Sequence, residues 1–358
     1  MNAEDLKQRY EPKPAAESIS YERQLCQGRY SPCGRFLFAS SYDATIQRWD
    51  VTGETPQPLS ALTGHHGWVQ CLEFAGDQLL TADSWGKLIC RPYADADPNP
   101  VWEIPDAHDG WIRALAVSPD GKQAATGGND SAVKLRSIAE GKVLGELEHP
   151  DRVFSIAYHP DGGSLATGDL KGIIRQWDLA GRSVKRTFDA GLLYQLSRIQ
   201  DCGGARMLSF DEAGRYLACA GQKSPEGGFA TGTPCVLIFD WSTGKLVREM
   251  PMGGNQDGFA YDARFHPEGF VMCVSCAFPG KGHIWFWRPE DDKPFYSSNK
   301  IPNGKSVSLH PKRNRIAITV SLSPNGNGRN LKDGEYLGGT GKIHFADFPA
   351  AKEPAAKS

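Results

Sequence analysis

Nine histidines, nine cysteines and one glycine-rich segment are the parts of this 358-residue chain that could hold a metal, carry a thiolate or cradle a phosphate. His65, His108 and His149 fall 43 and 41 residues apart, each just ahead of an apolar run. His159, His266 and His310 recur in the turns "HPDG", "HPEG" and "HPKR". Histidines that repeat with a period belong to a scaffold, whereas a zinc site needs ligands clustered at short spacing. His283 and His344 stand outside both sets, without a Cys, His or acidic neighbour at ligand spacing. Cys273 and Cys276 form a Cys-x-x-Cys, but in a strand a separation of three sends the two thiols to opposite faces. Structural thiols are the better reading. In "SPNGNGRNLKDGEYLGGTGK" (323–342) Tyr336 takes the place where a phosphate-binding loop needs its first Gly, and Ile343 follows the Gly-Lys pair. That segment reads as a hairpin loop. No nucleophile elbow and no His-Glu-x-x-His pair is present, and Asp291-Asp292 reads as a solvated face. We therefore expect no catalytic residue, no metal and no cofactor.

What remains is architecture, and charge narrows its partners. The net charge of -2 and a pI near 6.5 give no global basic field for nucleic acid. The opening "MNAEDLKQRYEPKPAAES" has charges where a leader needs an apolar run, and no stretch reaches the length of a membrane span. An odd number of cysteines scattered through predicted strands fits reduced thiols. The expectation is a soluble, cytoplasmic protein, monomeric on its own, that binds a protein or peptide and neither nucleic acid nor membrane. Residues 1–11 and 350–358, rich in Pro, Ala and Lys, are expected to be disordered tails around one domain at 12–349.

The elements that would position any site come from a repeat. "FASSYDATIQRWDVTGE" and "LATGDLKGIIRQWDLAGR" each read strand, tight turn, strand, and end on Trp49-Asp50 and Trp177-Asp178. "LLTADSWGKLICRPYADA" and "AATGGNDSAVKLRSIAEGK" share the shape with Arg91 and Arg136 at the Trp position, so the anchors fall at 49, 91, 136 and 177. Phe239, Trp287 and Ala346 continue the series with longer loops, which makes seven units. Alternating apolar and polar residues, β-branched enrichment and Pro/Asp/Gly turns make each unit a four-stranded antiparallel sheet. No helix of any length is expected.

On these residues, from about 18 to 349, the chain resembles the WD40 repeat family. The resemblance implies an all-β fold, a seven-bladed β-propeller of four-stranded blades. It also implies a structural tetrad of His, Ser/Thr, Asp and Trp in each blade, present only in part. His108, Thr126 and Asp130 lack the Trp. His149, Thr167 and Trp177 lack the Asp, with Lys171 in its place. His65 and Thr81 match in the second unit, where Trp85 takes the Asp position. Asp43 and Trp49 match in the first, where Tyr21 and Ala39 fill the other two. Trp177 is expected to donate its indole N–H to Thr167.

Nothing after Phe348 has the β propensity for a fourth strand, so the ring is expected to close through a strand within 12–20 pairing with 343–348. Loops at 189–205, 222–234, 278–282 and 323–342 lengthen only from the fifth unit onward, all at one end of the strands. Aromatic and Arg side chains anchor interfaces. Tyr194, Arg198, Phe229, Arg329 and Tyr336 are the expected contact residues of a non-catalytic interaction scaffold. The alternative is a propeller hydrolase or lyase acting at a channel mouth.

Overall fold

The computed structural model describes residues 2–197, 199–223, 232–277, 280–322, 330–332, 335–337 and 339–349, and of 330–332 and 335–337 the backbone only. Seven four-stranded antiparallel sheets, the blades, follow one another in chain order. Blade one is Leu25–Tyr30, Phe36–Ser41, Ile46–Asp50 and Gln57–Leu62; blade four is Val153–Tyr158, Ser164–Asp169, Ile173–Asp178 and Ser183–Asp189. In both, the first strand is innermost, beside the channel, and the fourth is outermost. Each of the seven anchor residues lies on the third strand of its blade.

Blade seven is completed from the other end of the chain. Lys13–Tyr21 runs antiparallel to Thr340–Asp347, with Lys13 opposite Asp347, Ile19 opposite Ile343 and Tyr21 opposite Gly341. The expected closure is what the sheet shows, and it covers the edge that Thr340–Asp347 would otherwise expose.

The expected tail at 1–11 is corrected by a helix, Ala3–Tyr10. Asn2 Oδ1 accepts the Asp5 N–H at 2.9 Å and Asp5 Oδ2 accepts the Asn2 N–H at 3.3 Å, a reciprocal cap. Leu6 and Tyr10, one turn apart, bury against Phe270, Phe286, Phe295 and Phe348. The i, i+4 apolar pair behind a cap was the legible signal. The short helix is held by packing on blades six and seven rather than by propensity.

The tetrads require a second correction. In blade two the carboxylate comes from Asp83, not from the position of Trp85: His65 Nδ1 lies 3.0 Å from Asp83 Oδ2 and Nε2 lies 2.8 Å from Thr81 Oγ1. In blade four it comes from Asp169, not from the position of Lys171, with Oδ2 3.3 Å from His149 Nδ1. Both acids follow the Thr by two residues, and period-two alternation puts residues i and i+2 of a strand on one face. In blade three Gly128 holds that place, and Asp130 reaches back from the turn to sit 3.0 Å from His108 Nδ1, while Thr126 Oγ1 is 2.8 Å from Nε2. Burial pushes the Asp130 carboxyl up, but His108 and two backbone N–H groups outweigh it and hold it down at about 2.

Trp177 Nε1 donates to Thr167 Oγ1 at 2.8 Å. Where Arg replaces the Trp, its guanidinium instead donates to a backbone carbonyl: Arg136 to Ala107 at 3.0 Å and Arg91 to Thr63 at 2.9 Å. In blade one Trp49 is buried and Ala39 is wholly so. There Tyr21 stands in for His, its hydroxyl donating to Asp43 at 2.6 Å. The closing strand is thereby tied to blade one.

Candidate interaction face

Strands that alternate in direction send the second-to-third turns and the blade-to-blade connections to the same end of the ring. At that end the inner strands carry a repeated irregularity. The register of the first two strands shifts between Leu25 and Gly28, Val69 and Cys71, Ile112 and Ala114, Val153 and Ser155, Ala260 and Asp262, and Gly304 and Ser306. A bulge re-aims the side chain it leaves unpaired. The unpaired residues include Cys26, Gln70, Arg113, Phe154, Tyr261 and Lys305, and all of these line the central channel. Arg206 supplies the blade-five member just before its inner strand. The channel encloses about 940 Å³.

Around this mouth aromatic rings and cations touch in an unbroken series. Tyr42 meets Trp68 edge-on at 4.8 Å, and Trp68 meets Trp111 at 5.8 Å. Arg113 lies 3.4 Å above the Trp111 ring and 5.2 Å from that of Phe154. Arg206 bridges Phe154 at 4.5 Å and Phe259 at 5.5 Å. Phe259 touches Tyr261 at 6.0 Å, and Lys305 Nζ sits 3.7 Å over the Tyr261 ring. Cation–π contact holds each charged group over a face while leaving part of it open. Burial, then the Arg206 charge beside it, lowers the Arg113 guanidinium to about 10, and Arg152 adds to the effect. Burial lowers Arg206 as well. Among the described residues no Asp or Glu forms an ion pair with Arg113, Arg206 or Lys305.

Deeper in the channel the charges balance. Arg29 Nη1 is 3.0 Å from Asp262 Oδ2, Arg264 Nε is 3.0 Å from Asp262 Oδ1, and Arg264 Nη2 is 3.5 Å from Glu73 Oε1.

Outside the mouth Trp68 is 47% exposed, and Trp85 beside it 68%. The connection into blade five, expected as a structureless loop, instead forms a turn at Gly191–Leu193 and a hairpin, Tyr194–Ser197 with Gln200–Gly203. Ile199 at its tip is 97% exposed with φ near +63°. Of the expected contact residues, Tyr194 is on this hairpin, its hydroxyl donating to Asp201 at 2.7 Å. Arg198, Phe229 and Arg329 lie outside the described residues. Tyr336 is in a backbone hairpin, Asn330–Lys332 with Glu335–Leu337, between the second and third strands of blade seven. Sequence reasoning missed the mouth because its members are one residue per blade and differ in type. The signal lay in their similar position at the start of the inner strands: the second residue in blades one to four and seven, the third in blade six, and the residue just before the strand in blade five.

Cys273 is buried in the core between blades five and six, where burial pushes its thiol well up, and Cys276 lies 3.7 Å from Asn303 Oδ1. The pair is not a dithiol site. Among the described residues no three His, Cys, Asp or Glu side chains gather as a metal site.

Seven four-stranded blades around a central channel make a β-propeller whose partial tetrads resemble those of WD40 repeats. The family model "WD domain, G-beta repeat" matches residues 23–50, 99–137 and 141–178, which fall on the first three strands of blades one, three and four and on the fourth strands of blades two and three. The chain is 27% identical over 166 residues to "Small ribosomal subunit protein RACK1y" of Oryza sativa subsp. japonica, covering 41% of this chain and 46% of that one. It is 25% identical over 244 residues to "Periodic tryptophan protein 2" of Arabidopsis thaliana, 61% of this chain and 24% of the relative. It is 27% identical over 186 residues to "Pre-mRNA-processing factor 19 homolog 2" of Arabidopsis thaliana, 50% of this chain and 33% of the relative. The matches span less than half the length of these relatives.

Proposed function

We propose that the protein is a non-catalytic, cytoplasmic interaction scaffold, a monomer on its own, that takes a protein or peptide partner on the bulged end of the ring. The observation that carries this reading is the collar from Tyr42 to Lys305, in which Trp68 is exposed, with exposed Trp85 beside it. Aromatic and Arg side chains on a rigid frame are the usual anchors of an interface, and an apolar surface exposed beside a cavity marks a contact site. The names of the relatives, a ribosomal subunit protein and a pre-mRNA-processing factor, accord with membership in assemblies. All nine cysteines are free thiols, which accords with a reducing compartment. The mouth offers cations and rings rather than a His–carboxylate pair, which favours binding over hydrolysis.

The test is affinity capture from native lysate. The combined Trp68→Ala, Trp85→Ala and Tyr261→Ala variant should lose the partner that the unaltered protein retains, with its melting temperature within a few degrees. A second variant, replacing Tyr194, Arg198, Phe229, Arg329 and Tyr336 by Ala, asks whether the loops of blades five to seven extend the contact. Capture unchanged in both variants overturns the assignment of the face.

A further inference from the structure

The channel mouth holds more positive charge than it needs. Arg113 comes from blade three, Arg206 from blade five and Lys305 from blade seven, and the three converge on one opening. Arg113 spends its Nε on Asn129 Oδ1 at 3.0 Å and Arg206 its Nε on the Gly203 carbonyl at 2.7 Å. Those partners are neutral, so no charge is cancelled. Like charges held close repel, and a buried cation without an anion is costly, so this cluster is poised to gain from an arriving anion. The carboxylates below cannot supply it, because Asp262 and Glu73 are already engaged by Arg29 and Arg264.

We infer that the mouth is a receptor for a single carboxylate side chain, presented at the tip of a peptide segment of the partner and bound by Arg113, Arg206 and Lys305. The inference rests on the scaffold reading above and names the chemistry the partner must bring. The aromatic members of the collar give the peptide's apolar atoms a surface on every side of the charge. Guanidinium groups stacked on Trp111 and Phe154 keep a fixed plane, which suits two-point recognition of a carboxylate. The surrounding face favours a localised anion over a polyanion. Asp109, Asp189 and Asp201 stand on or beside the connections at this same end and would repel a phosphate backbone lying across it, Asp151 there being paired with Lys171 at 3.4 Å, whereas an anion confined to the mouth lies next to Arg113, Arg206 and Lys305.

An immobilised array of randomised nonapeptides, with Asp, Glu and phosphoserine among the variable residues, tests the idea. The unaltered protein should retain peptides enriched in Asp or Glu at one position. The Arg113→Gln, Arg206→Gln, Lys305→Gln variant should lose that enrichment and bind a representative retained peptide at least about tenfold more weakly. Its melting temperature should not fall, because a repulsive cluster has been removed. Lys305→Glu alone offers Arg113 and Arg206 a carboxylate from the chain itself and should abolish the acidic enrichment, which keeps the test decisive if the triple variant does not fold. An array with no acidic enrichment, or with nothing retained, overturns the inference, as does enrichment that survives in the triple variant. Enrichment of phosphoserine alone, or tighter binding of single-stranded oligothymidylate than of any peptide, overturns it in favour of a phosphate ligand. Lysate capture that persists while the array fails removes the carboxylate and leaves the scaffold; loss of both removes the scaffold as well.

Discussion

Arg29 Nη1 lies 3.0 Å from Asp262 Oδ2 across 233 residues of chain, joining the inner strand of blade one to that of blade six. The same carboxylate accepts the Val307 N–H of blade seven at 3.1 Å and Arg264 Nε at 3.0 Å. Three consecutive blades therefore share one buried acid at the channel wall. Burial pushes its pKa up, and the two arginines more than reverse the shift. Asp262→Ala leaves Arg29 buried without its anion, and we expect a loss of about 3–5 kcal/mol in urea unfolding. A change under about 1 kcal/mol would show that water replaces the carboxylate. The Arg29→Met, Asp262→Leu pair should recover much of the loss.

Ring closure gives a graded truncation series. Removing residues 2–11 strips Leu6 and Tyr10 from blades six and seven and should lower the melting temperature by several degrees. Removing 2–21 also takes the fourth strand of blade seven and leaves Thr340–Asp347 as an open edge. We expect that loss to be about 10 °C or more, with greater aggregation on heating. Equal melting temperatures for the two truncations would mean that the strand adds nothing to closure.

Thr167→Val keeps the shape of blade four while removing the acceptor of the Trp177 indole. Both residues are buried, so the indole N–H is left without its partner. The expected cost is about 1–3 kcal/mol by chemical denaturation. Trp177→Phe, which removes donor and bond together, should then cost little more in the Thr167→Val background than packing loss accounts for.

His266 makes stability depend on pH. It is 1% exposed, stacked on Phe270 at 4.4 Å and against Tyr10 at 4.6 Å. Burial, followed by the charges of Arg313 and Arg9, holds its pKa down at about 4. The unfolded chain takes up that proton near pH 6.5 and the folded chain only near 4, so stability is full above 6.5 and declines between those values. His266 alone accounts for up to about 3 kcal/mol of that decline. His65, His310 and His344 are depressed too and add to it. Urea unfolding at pH 7 and pH 4.5 should therefore show a smaller difference for His266→Phe than for the unaltered protein. An equal difference would place the pH sensitivity elsewhere.

By itself the sequence determined the repeat, and with it the fold. Anchors at Trp49, Arg91, Arg136 and Trp177, 42, 45 and 41 residues apart, and continued by Phe239, Trp287 and Ala346 across longer loops, leave little but a ring of antiparallel blades. The expected closing strand within 12–20 is met by Lys13–Tyr21, because an unpaired edge must be covered. These features are legible because they depend on local periodicity and on counting strands. The Asp83 and Asp169 partners were within reach of the same rule, since i and i+2 share a face, and were missed by matching turn positions instead. Tertiary structure alone decided which side chains meet at the mouth. Arg113, Arg206 and Lys305 stand nearly a hundred residues apart and have no common motif. They converge because a bulge leaves Arg113 and Lys305 unpaired near the start of their inner strands and Arg206 stands just before its own, and only closure of the ring brings those points together.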